Sequence, residues 1–154
     1  MKKKTLEDYL EIIYILQQKS GEVRTNDVAE GFGINPASVT EFFQKLHQEG
    51  YITYKKYSGV KLTKKGKVIA MATKNRHDTL KNFLTILGIN ETYAEQDACR
   101  IEHVVTPQTM ERLTKFVEFV QHTEKPPQWL DRFKQYYETG LYVPSGTKGV
   151  TKQK

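Results

Sequence analysis

Apolar side chains recur at helical spacing through the first third of the chain, with polar residues between them. From Thr5 to about Lys19, the spacing of Leu10, Ile13 and the apolar residues around them predicts a half-buried helix. Thr5 followed three residues later by Asp8 resembles a capping box, which predicts that the helix starts at Thr5. The first element is therefore expected to be an amphipathic helix.

The next 25 residues contain two shorter helical patterns. Thr25 can cap a short helix that stops at residues 31–33, where two glycines occur. Asn35 followed by Pro36 is a typical N-cap and first-position pair, and it opens a second helix that ends at Gly50. Two short helices joined by a tight glycine-containing turn predict a helix-turn-helix. Any small helical bundle can imitate this pattern.

A hairpin is expected to follow the second helix. Residues 51–54 and 60–63 are rich in β-branched and aromatic side chains, and Ser58-Gly59 between them is a turn signal. A hairpin in this place predicts a winged helix-turn-helix. The hairpin would carry Lys55, Lys56 and Lys61, which could follow a phosphate backbone. The alternative is an edge hairpin that its lysines keep soluble.

Charge distribution supports the nucleic-acid interpretation. The formal net charge is only +6, yet residues 51–76 contain eight basic residues and no acid. Small and polar groups dominate the outward face of the second short helix, as base edges and phosphates require. The residues predicted to contact DNA are Thr25, Asn35, Pro36, Ala37, Ser38, Thr40, Glu41, Gln44, Lys45, Lys55, Lys56 and Lys61. Of these, Glu41 would repel phosphate unless it accepts from a cytosine amino group or points away.

The remaining pattern is helical. Thr63 is expected to cap a long helix reaching about Leu87, and further helices are predicted from about 91 to 105, from Pro107, and from Pro127 to near Gly140. The predicted fold is mainly α: a winged helix-turn-helix domain (1–63), an all-α dimerisation domain (64–140, with the linking helix 64–87) and a flexible tail (141–154). Residues 148–154 are expected to be disordered because they offer little to bury.

Composition excludes several classes of protein. No apolar run reaches the roughly 18 residues of a membrane span, and the lysines at positions 2–4 do not lead into a signal core, so a cytoplasmic protein without a membrane partner is expected. A single cysteine cannot form an internal disulfide. No set of nucleophile, base and orienting residue stands out, so an enzyme is not expected.

Three potential metal ligands lie close together in the sequence. Cys99, Glu102 and His103 are spaced i, i+3 and i+4, which places them on one face of a helix. A thiolate, a carboxylate and an imidazole suit a divalent transition metal, but three groups do not fill its coordination shell. Asp8 and Glu11 have a spacing that suits two oxygen ligands, although carboxylates there are also ordinary in any helix. His77, alone beside an apolar stripe, is equally typical of a core-edge residue.

Five separated motifs resemble one known family. They are Thr5-Leu6-Glu7-Asp8-Tyr9-Leu10-Glu11-Ile12-Ile13-Tyr14, Ala37-Ser38-Val39-Thr40, Leu62-Thr63-Lys64-Lys65-Gly66, Arg76-His77 and Asp97-Ala98-Cys99-Arg100-Ile101-Glu102-His103. From about Thr5 to Gln121 the chain is similar to the diphtheria toxin repressor family of metal-dependent regulators, and within it to the short manganese-transport type. The SH3-like domain of the longer members is not expected in this chain.

The resemblance implies a homodimer that binds a palindromic double-stranded DNA operator when loaded with Mn²⁺ or Fe²⁺, as a repressor of metal-uptake genes. Carried over by position, the ligands would be Asp8, Glu11, His77, Cys99, Glu102 and His103. The manganese branch has Glu at the position of Cys99, and the iron branch has Met at that of Asp8, so this chain is mixed. A thiolate would shift preference toward Fe²⁺, Co²⁺ or Zn²⁺. Lys81 replaces a carboxylate of the iron branch's ancillary site. The alternative function is a winged-helix regulator without metal control.

Overall fold

The structure is a computed structural model that describes residues 1–146, so the disorder predicted for 148–154 concerns residues outside this range. The described part contains seven helices and one antiparallel hairpin. They are α1 (Lys3–Ser20), α2 (Thr25–Phe32), α3 (Pro36–Gln48), β1 (Ile52–Lys55), β2 (Gly59–Leu62), α4 (Lys64–Ile86), α5 (Glu91–Ile101), α6 (Pro107–Gln121) and α7 (Gln128–Thr139).

The first three helices and the hairpin enclose one hydrophobic core. Leu10, Ile13, Val39 and Phe43 are fully buried in it, as the helical periodicity requires. The hairpin pairs Ile52 with Leu62 and Lys55 with Gly59, and Val23 adds a single bridge to Val60 of β2. This arrangement confirms the winged helix-turn-helix that the sequence predicts.

The starts of α1 and α2 differ from the prediction. Lys2 is the N-cap of α1, which begins at Lys3, so Thr5 lies inside the first turn and the capping-box interpretation is wrong. Arg24 rather than Thr25 is the N-cap of α2, and its backbone N–H donates to Asp27 Oδ2 at 2.7 Å. The predicted cap of α3 is confirmed, because Asn35 Oδ1 accepts from the backbone N–H of Ala37 at 2.8 Å.

Thr63 joins the hairpin to α4. Its hydroxyl accepts from the backbone N–H of Gly66 at 3.2 Å, as an N-cap should, and lies 2.7 Å from the carbonyl oxygen of Gly50. The backbone N–H of Thr63 also donates to the carbonyl of Tyr51 at 3.0 Å. The end of the hairpin and the start of α4 therefore form one hydrogen-bonded joint.

Helix α4 contributes to two cores. Ala70, in its first half, packs into the winged-domain core, whereas Leu80, in its second half, packs with Ala98 and Met110 in a separate cluster. Val68, also in the first half of α4, is 69% exposed. Helix α7 joins the second group of helices through Trp129, whose ring centroid lies 6.0 Å from that of Phe116 in α6. Among residues 1–146, no helix has the length and apolar content that membrane spanning requires.

Candidate metal centre and nucleic-acid interface

Five of the six predicted metal ligands converge where α1, α4 and the end of α5 meet. Asp8 and Glu11 come from α1, and His77 comes from α4. Because α5 ends at Ile101, rather than near Val105 as expected, Glu102 and His103 lie in the turn that follows it. Donor atoms approach within 4.8 Å of one another in two groups, Asp8–Glu102–His103 and Glu11–His77–Glu102. Glu102 belongs to both.

Glu102 is buried at the centre of this cluster, with 1% of its surface exposed. Its Oε2 lies 2.8 Å from His77 Nδ1, and its backbone carbonyl accepts from Arg76 Nε at 3.1 Å. Its other carboxylate oxygen, Oε1, has no hydrogen-bond partner among residues 1–146. An unsatisfied buried carboxylate oxygen is costly, so this atom needs a cation or another donor.

His103 presents a second buried atom of the same kind. Its Nδ1 lies 2.7 Å from Glu7 Oε2, whereas its Nε2 is 2.8 Å from Asp8 Oδ1 and 3.3 Å from Glu102 Oε1. These two short approaches lack hydrogen-bond geometry, so Nε2 has no hydrogen-bond partner in the described part of the chain. When Nδ1–H donates to Glu7, the lone pair of neutral Nε2 faces two carboxylates. Three acceptor atoms within 4.8 Å of one another, two of them on carboxylates, fit a divalent cation.

The crowding of carboxylates also changes their proton affinities. Burial, followed by the nearby charge of Glu102, raises the pKa of Glu11 to about 7. Burial likewise raises the pKa of Asp8, despite the opposing effect of His103. The hydrogen bond to Glu102 raises the pKa of His77 above its ordinary value, against the effect of burial. The metal-free cluster therefore binds protons where a cation would otherwise balance its negative charge.

Cys99 lies next to these two groups but outside them. It is exposed overall and lines a cavity of about 670 Å³ together with Asp8, Glu11, His77 and Glu95. Desolvation of its sulfur, followed by the charge of Glu102, raises its pKa, so the thiolate is disfavoured. The atoms that converge most closely are thus oxygens and imidazole nitrogens.

Four residues without a predicted role complete the centre. The side chain of Glu7 is only 5% exposed and contacts both Arg76 and His103, while Glu95 contacts His77 and Lys81. Arg76 and Glu7 lie within motifs quoted above and Glu95 does not, but neither glutamate has a sequence signal of its own that separates it from ordinary solvated helix residues. The histidine that each contacts lies 96 positions away for Glu7 and 18 positions away for Glu95.

The predicted DNA-contacting residues lie on or beside α2, α3 and the hairpin. All are exposed except Thr25 and Thr40, which are half-buried. A cavity of about 360 Å³ separates the N-terminal ends of α2 and α3 from the hairpin. Its lining includes Arg24, Asn26 and Tyr57, which the prediction omitted. Tyr57 is 92% exposed at the hairpin tip, and Lys56 Nζ lies 5.3 Å from its ring centroid.

Comparison with known families supports the same interpretation. Residues 1–60 match the family described as "Iron dependent repressor, N-terminal DNA binding domain", and residues 63–129 match "Iron dependent repressor, metal binding and dimerisation domain". The chain is 37% identical over 136 residues to the HTH-type transcriptional regulator MntR of Geobacillus thermodenitrificans (strain NG80-2), covering 88% of this chain and 96% of that protein. Its counterpart in Bacillus velezensis is 38% identical over 120 residues, with 78% of this chain and 84% of that protein covered.

Solved structures show the same architecture. The manganese regulator SloR superposes with a TM-score of 0.64 at 31% identity, covering 74% of this chain and 54% of that one. A manganese-dependent transcriptional repressor in complex with manganese gives a TM-score of 0.68 at 29% identity, with 74% and 53% covered. This chain thus spans about half the length of these two solved proteins. With both parts matched in sequence and fold, the chain belongs to the diphtheria toxin repressor family of metal-dependent transcriptional regulators.

Proposed function

We propose that this protein is a cytoplasmic repressor of metal-uptake genes that binds a palindromic operator as a homodimer when loaded with Mn²⁺ or Fe²⁺. One observation carries this proposal. Buried Glu102 has a carboxylate oxygen with no hydrogen-bond partner among the described residues, and it is shared by two donor groups, which also include Asp8 and Glu11 of the winged domain's first helix. The proposed ligands are Asp8, Glu11, His77, Glu102 and His103, with Cys99 adjacent.

The arrangement of the ligands suggests how DNA binding would be controlled. Asp8 and Glu11 belong to α1, which packs in the winged-domain core, while Glu102 and His103 follow α5 in the helical part. When bound, the cation supplies the positive charge that lets these carboxylates remain together. Without it, their repulsion favours other placements of α1 against α5, so the metal selects one arrangement through its differential affinity. In a dimer, that arrangement would set the two α3 helices about 34 Å apart, one turn of DNA.

The donor set supports Mn²⁺ or Fe²⁺ over softer ions. Carboxylate oxygens suit Mn²⁺, and imidazole nitrogens suit Fe²⁺ as well as Zn²⁺. Since Cys99 lies outside both convergent groups, its thiol does not dominate the selectivity. The two solved relatives described above are named as manganese regulators. Co²⁺ and Zn²⁺ are expected to bind in vitro.

Metal should increase DNA affinity. We expect fragments selected from a random-sequence pool with Mn²⁺ to bind at least about tenfold more tightly with Mn²⁺ or Fe²⁺ than with excess chelator, the usual scale of allosteric coupling. Fluorescence anisotropy at fixed ionic strength measures both affinities. Equal affinities in the two conditions would overturn metal control and favour a winged-helix regulator that does not sense metal.

Metal binding should strengthen as pH rises from 6 to 8. The raised pKa values of Glu11 (about 7) and His77 mean that both groups bind protons at pH 6 in the metal-free protein. Those protons must leave before the groups can act as ligands, so affinity falls as pH falls through these pKa values. If metal binding releases one to two protons, we expect the Mn²⁺ affinity to change by roughly 10- to 100-fold per pH unit below pH 7. Calorimetric Mn²⁺ titration in buffers of different ionisation enthalpy gives both the affinity and the number of protons. An Mn²⁺ affinity that does not change with pH would contradict the proposed ligands.

A further inference from the structure

Both histidines of the candidate metal centre have each ring nitrogen facing a carboxylate. In each ring, one nitrogen faces the shared Glu102 and the other faces a glutamate outside the two donor groups. For His103 the outer carboxylate is Glu7, and for His77 it is Glu95. These two glutamates have no place in the ligand set proposed above.

Glu7 is fixed between two groups, His103 and Arg76. Its Oε2 lies 2.7 Å from His103 Nδ1, and its Oε1 accepts from Arg76 Nη2 at 2.9 Å. Arg76 is itself held, because its Nε donates to the carbonyl of Glu102 and its Nη2 lies 3.2 Å from Thr73 Oγ1. The carboxylate thus joins α1 to α4 and has little freedom to move.

Glu95 repeats this arrangement on the other ring. Its Oε1 lies 2.9 Å from His77 Nε2, and its Oε2 pairs with Lys81 Nζ at 2.9 Å. Lys81 also lies 3.2 Å from Glu91. The side chain of Glu95 is 52% exposed, compared with 5% for Glu7, so solvent screens this second contact more strongly.

A carboxylate on the outer nitrogen decides which nitrogen of an imidazole carries the proton. If Glu7 accepts from Nδ1–H, the lone pair of His103 is on Nε2, facing Asp8 and Glu102. If Glu95 accepts from Nε2–H, the lone pair of His77 is on Nδ1, facing Glu102. The two rings therefore need opposite tautomers, and each outer glutamate selects the one required.

We propose that Glu7 and Glu95 are positioning residues for metal binding, each orienting one histidine and fixing its tautomer so that its lone pair faces the shared Glu102. This proposal rests on the proposed function, since it assigns a role toward the same cation. Arg76 and Lys81 hold the two glutamates in place. Lys81, which replaces a carboxylate of the iron branch's ancillary site, thereby gains a role in this chain.

Calorimetric Mn²⁺ titration of the full-length protein tests the proposal. We expect Glu7→Ala to lower affinity toward 100-fold and Glu95→Ala by about tenfold, the two ends of the range for outer partners of metal-bound histidines. Asp78→Ala is the matched control, because it removes a carboxylate next to His77 that pairs with Lys74 instead of a ring. We expect the control to change affinity by less than about threefold, the size of a screened surface charge.

A second measurement separates positioning from a general loss of structure. Glu7→Gln keeps the shape of the side chain and an acceptor oxygen for Nδ1–H, so it should recover most of the affinity lost in Glu7→Ala. In ¹⁵N-histidine spectra with Zn²⁺ as a diamagnetic probe, the unaltered protein should show His103 protonated at Nδ1 and His77 at Nε2. Each alanine variant should alter the signals of its own histidine and leave the other unchanged.

Three results would overturn the proposal. Affinities of both alanine variants equal to that of Asp78→Ala would show that the contacts do not matter for metal binding. Loss of one bound ion per subunit in Glu95→Ala would make Glu95 a ligand instead of a positioning residue. Absence of Mn²⁺ binding by the unaltered protein would overturn the proposed function as well, whereas the first two results leave that function intact.

Discussion

Glutamine in place of Glu102 is expected to lower Mn²⁺ affinity by more than about 100-fold, beyond the range for an outer partner. The carboxylate belongs to both donor groups, so one substitution weakens every arrangement of ions that the centre can hold. Glutamine has nearly the same volume but lacks the negative charge. DNA affinity should then stay at its chelator level even at high Mn²⁺ concentration.

The metal-free form of this variant should remain folded. The amide of glutamine can still form a hydrogen bond with His77 Nδ1, and the substitution removes a buried anionic oxygen that has no hydrogen-bond partner among residues 1–146. The free energy of unfolding in urea should therefore change by no more than about 1 kcal/mol. Glu111→Gln, an exposed carboxamide substitution on α6, serves as the control and should leave both Mn²⁺ and DNA binding unchanged. Normal metal-dependent DNA binding by Glu102→Gln would refute the central role of this residue.

Alanine at Gly66 is expected to destabilise the protein by about 3 kcal/mol, in the range of overpacked sites. Helix propensity alone predicts the opposite, a gain of about 1 kcal/mol, because Gly66 lies in the first turn of α4. A Cβ atom there would overlap the backbone carbonyl oxygen of Tyr51. That carbonyl is itself fixed by the Thr63 joint, so it cannot move without breaking hydrogen bonds.

Urea denaturation of the metal-free protein measures this effect, and Gly31→Ala is the matched control. A Cβ atom at Gly31 would meet only the end of the Ile12 side chain, which can rotate away. We therefore expect Gly31→Ala to be within about 1 kcal/mol of the unaltered protein. Equal stabilities of Gly66→Ala and Gly31→Ala would show that the close approach of residue 66 to the Tyr51 carbonyl does not make alanine destabilising there.

Local patterns predict most of the winged domain because its core is built from elements with clear periodicity. Leu10, Ile13, Val39 and Phe43 are all fully buried where the helical spacing places them. The predicted capping box at Thr5 is wrong because α1 begins before Thr5, with Lys2 as its N-cap. The N–H of Leu6 donates to the carbonyl of Lys2, and Lys3 Nζ lies 3.9 Å from Glu7 Oε1. Capping motifs identify preferences at a helix end but do not decide between adjacent starts.

The candidate metal centre depends on contacts that a single sequence does not display. Spacing alone identified Cys99, Glu102 and His103, yet the structure separates Cys99 from the other two because α5 ends before Glu102. Glu7 and Glu95 could not be singled out, since their roles come from histidines on other elements. The residue type reveals a potential ligand, whereas its outer partners require the three-dimensional fold.

Because the joint at Thr63 ties the start of α4 to the hairpin, a small tilt of this helix at its far end moves the hairpin. With 23 residues at 1.5 Å each, the helix is about 34 Å long, and its first turn is fixed to the hairpin that flanks α3. A tilt of about 5° at its far end would displace the hairpin by about 3 Å, close to the 3.4 Å separation of successive base pairs. Angular adjustments of a few degrees around His77 are thus large enough to decide whether the two halves of a dimer stay in phase with the DNA helix.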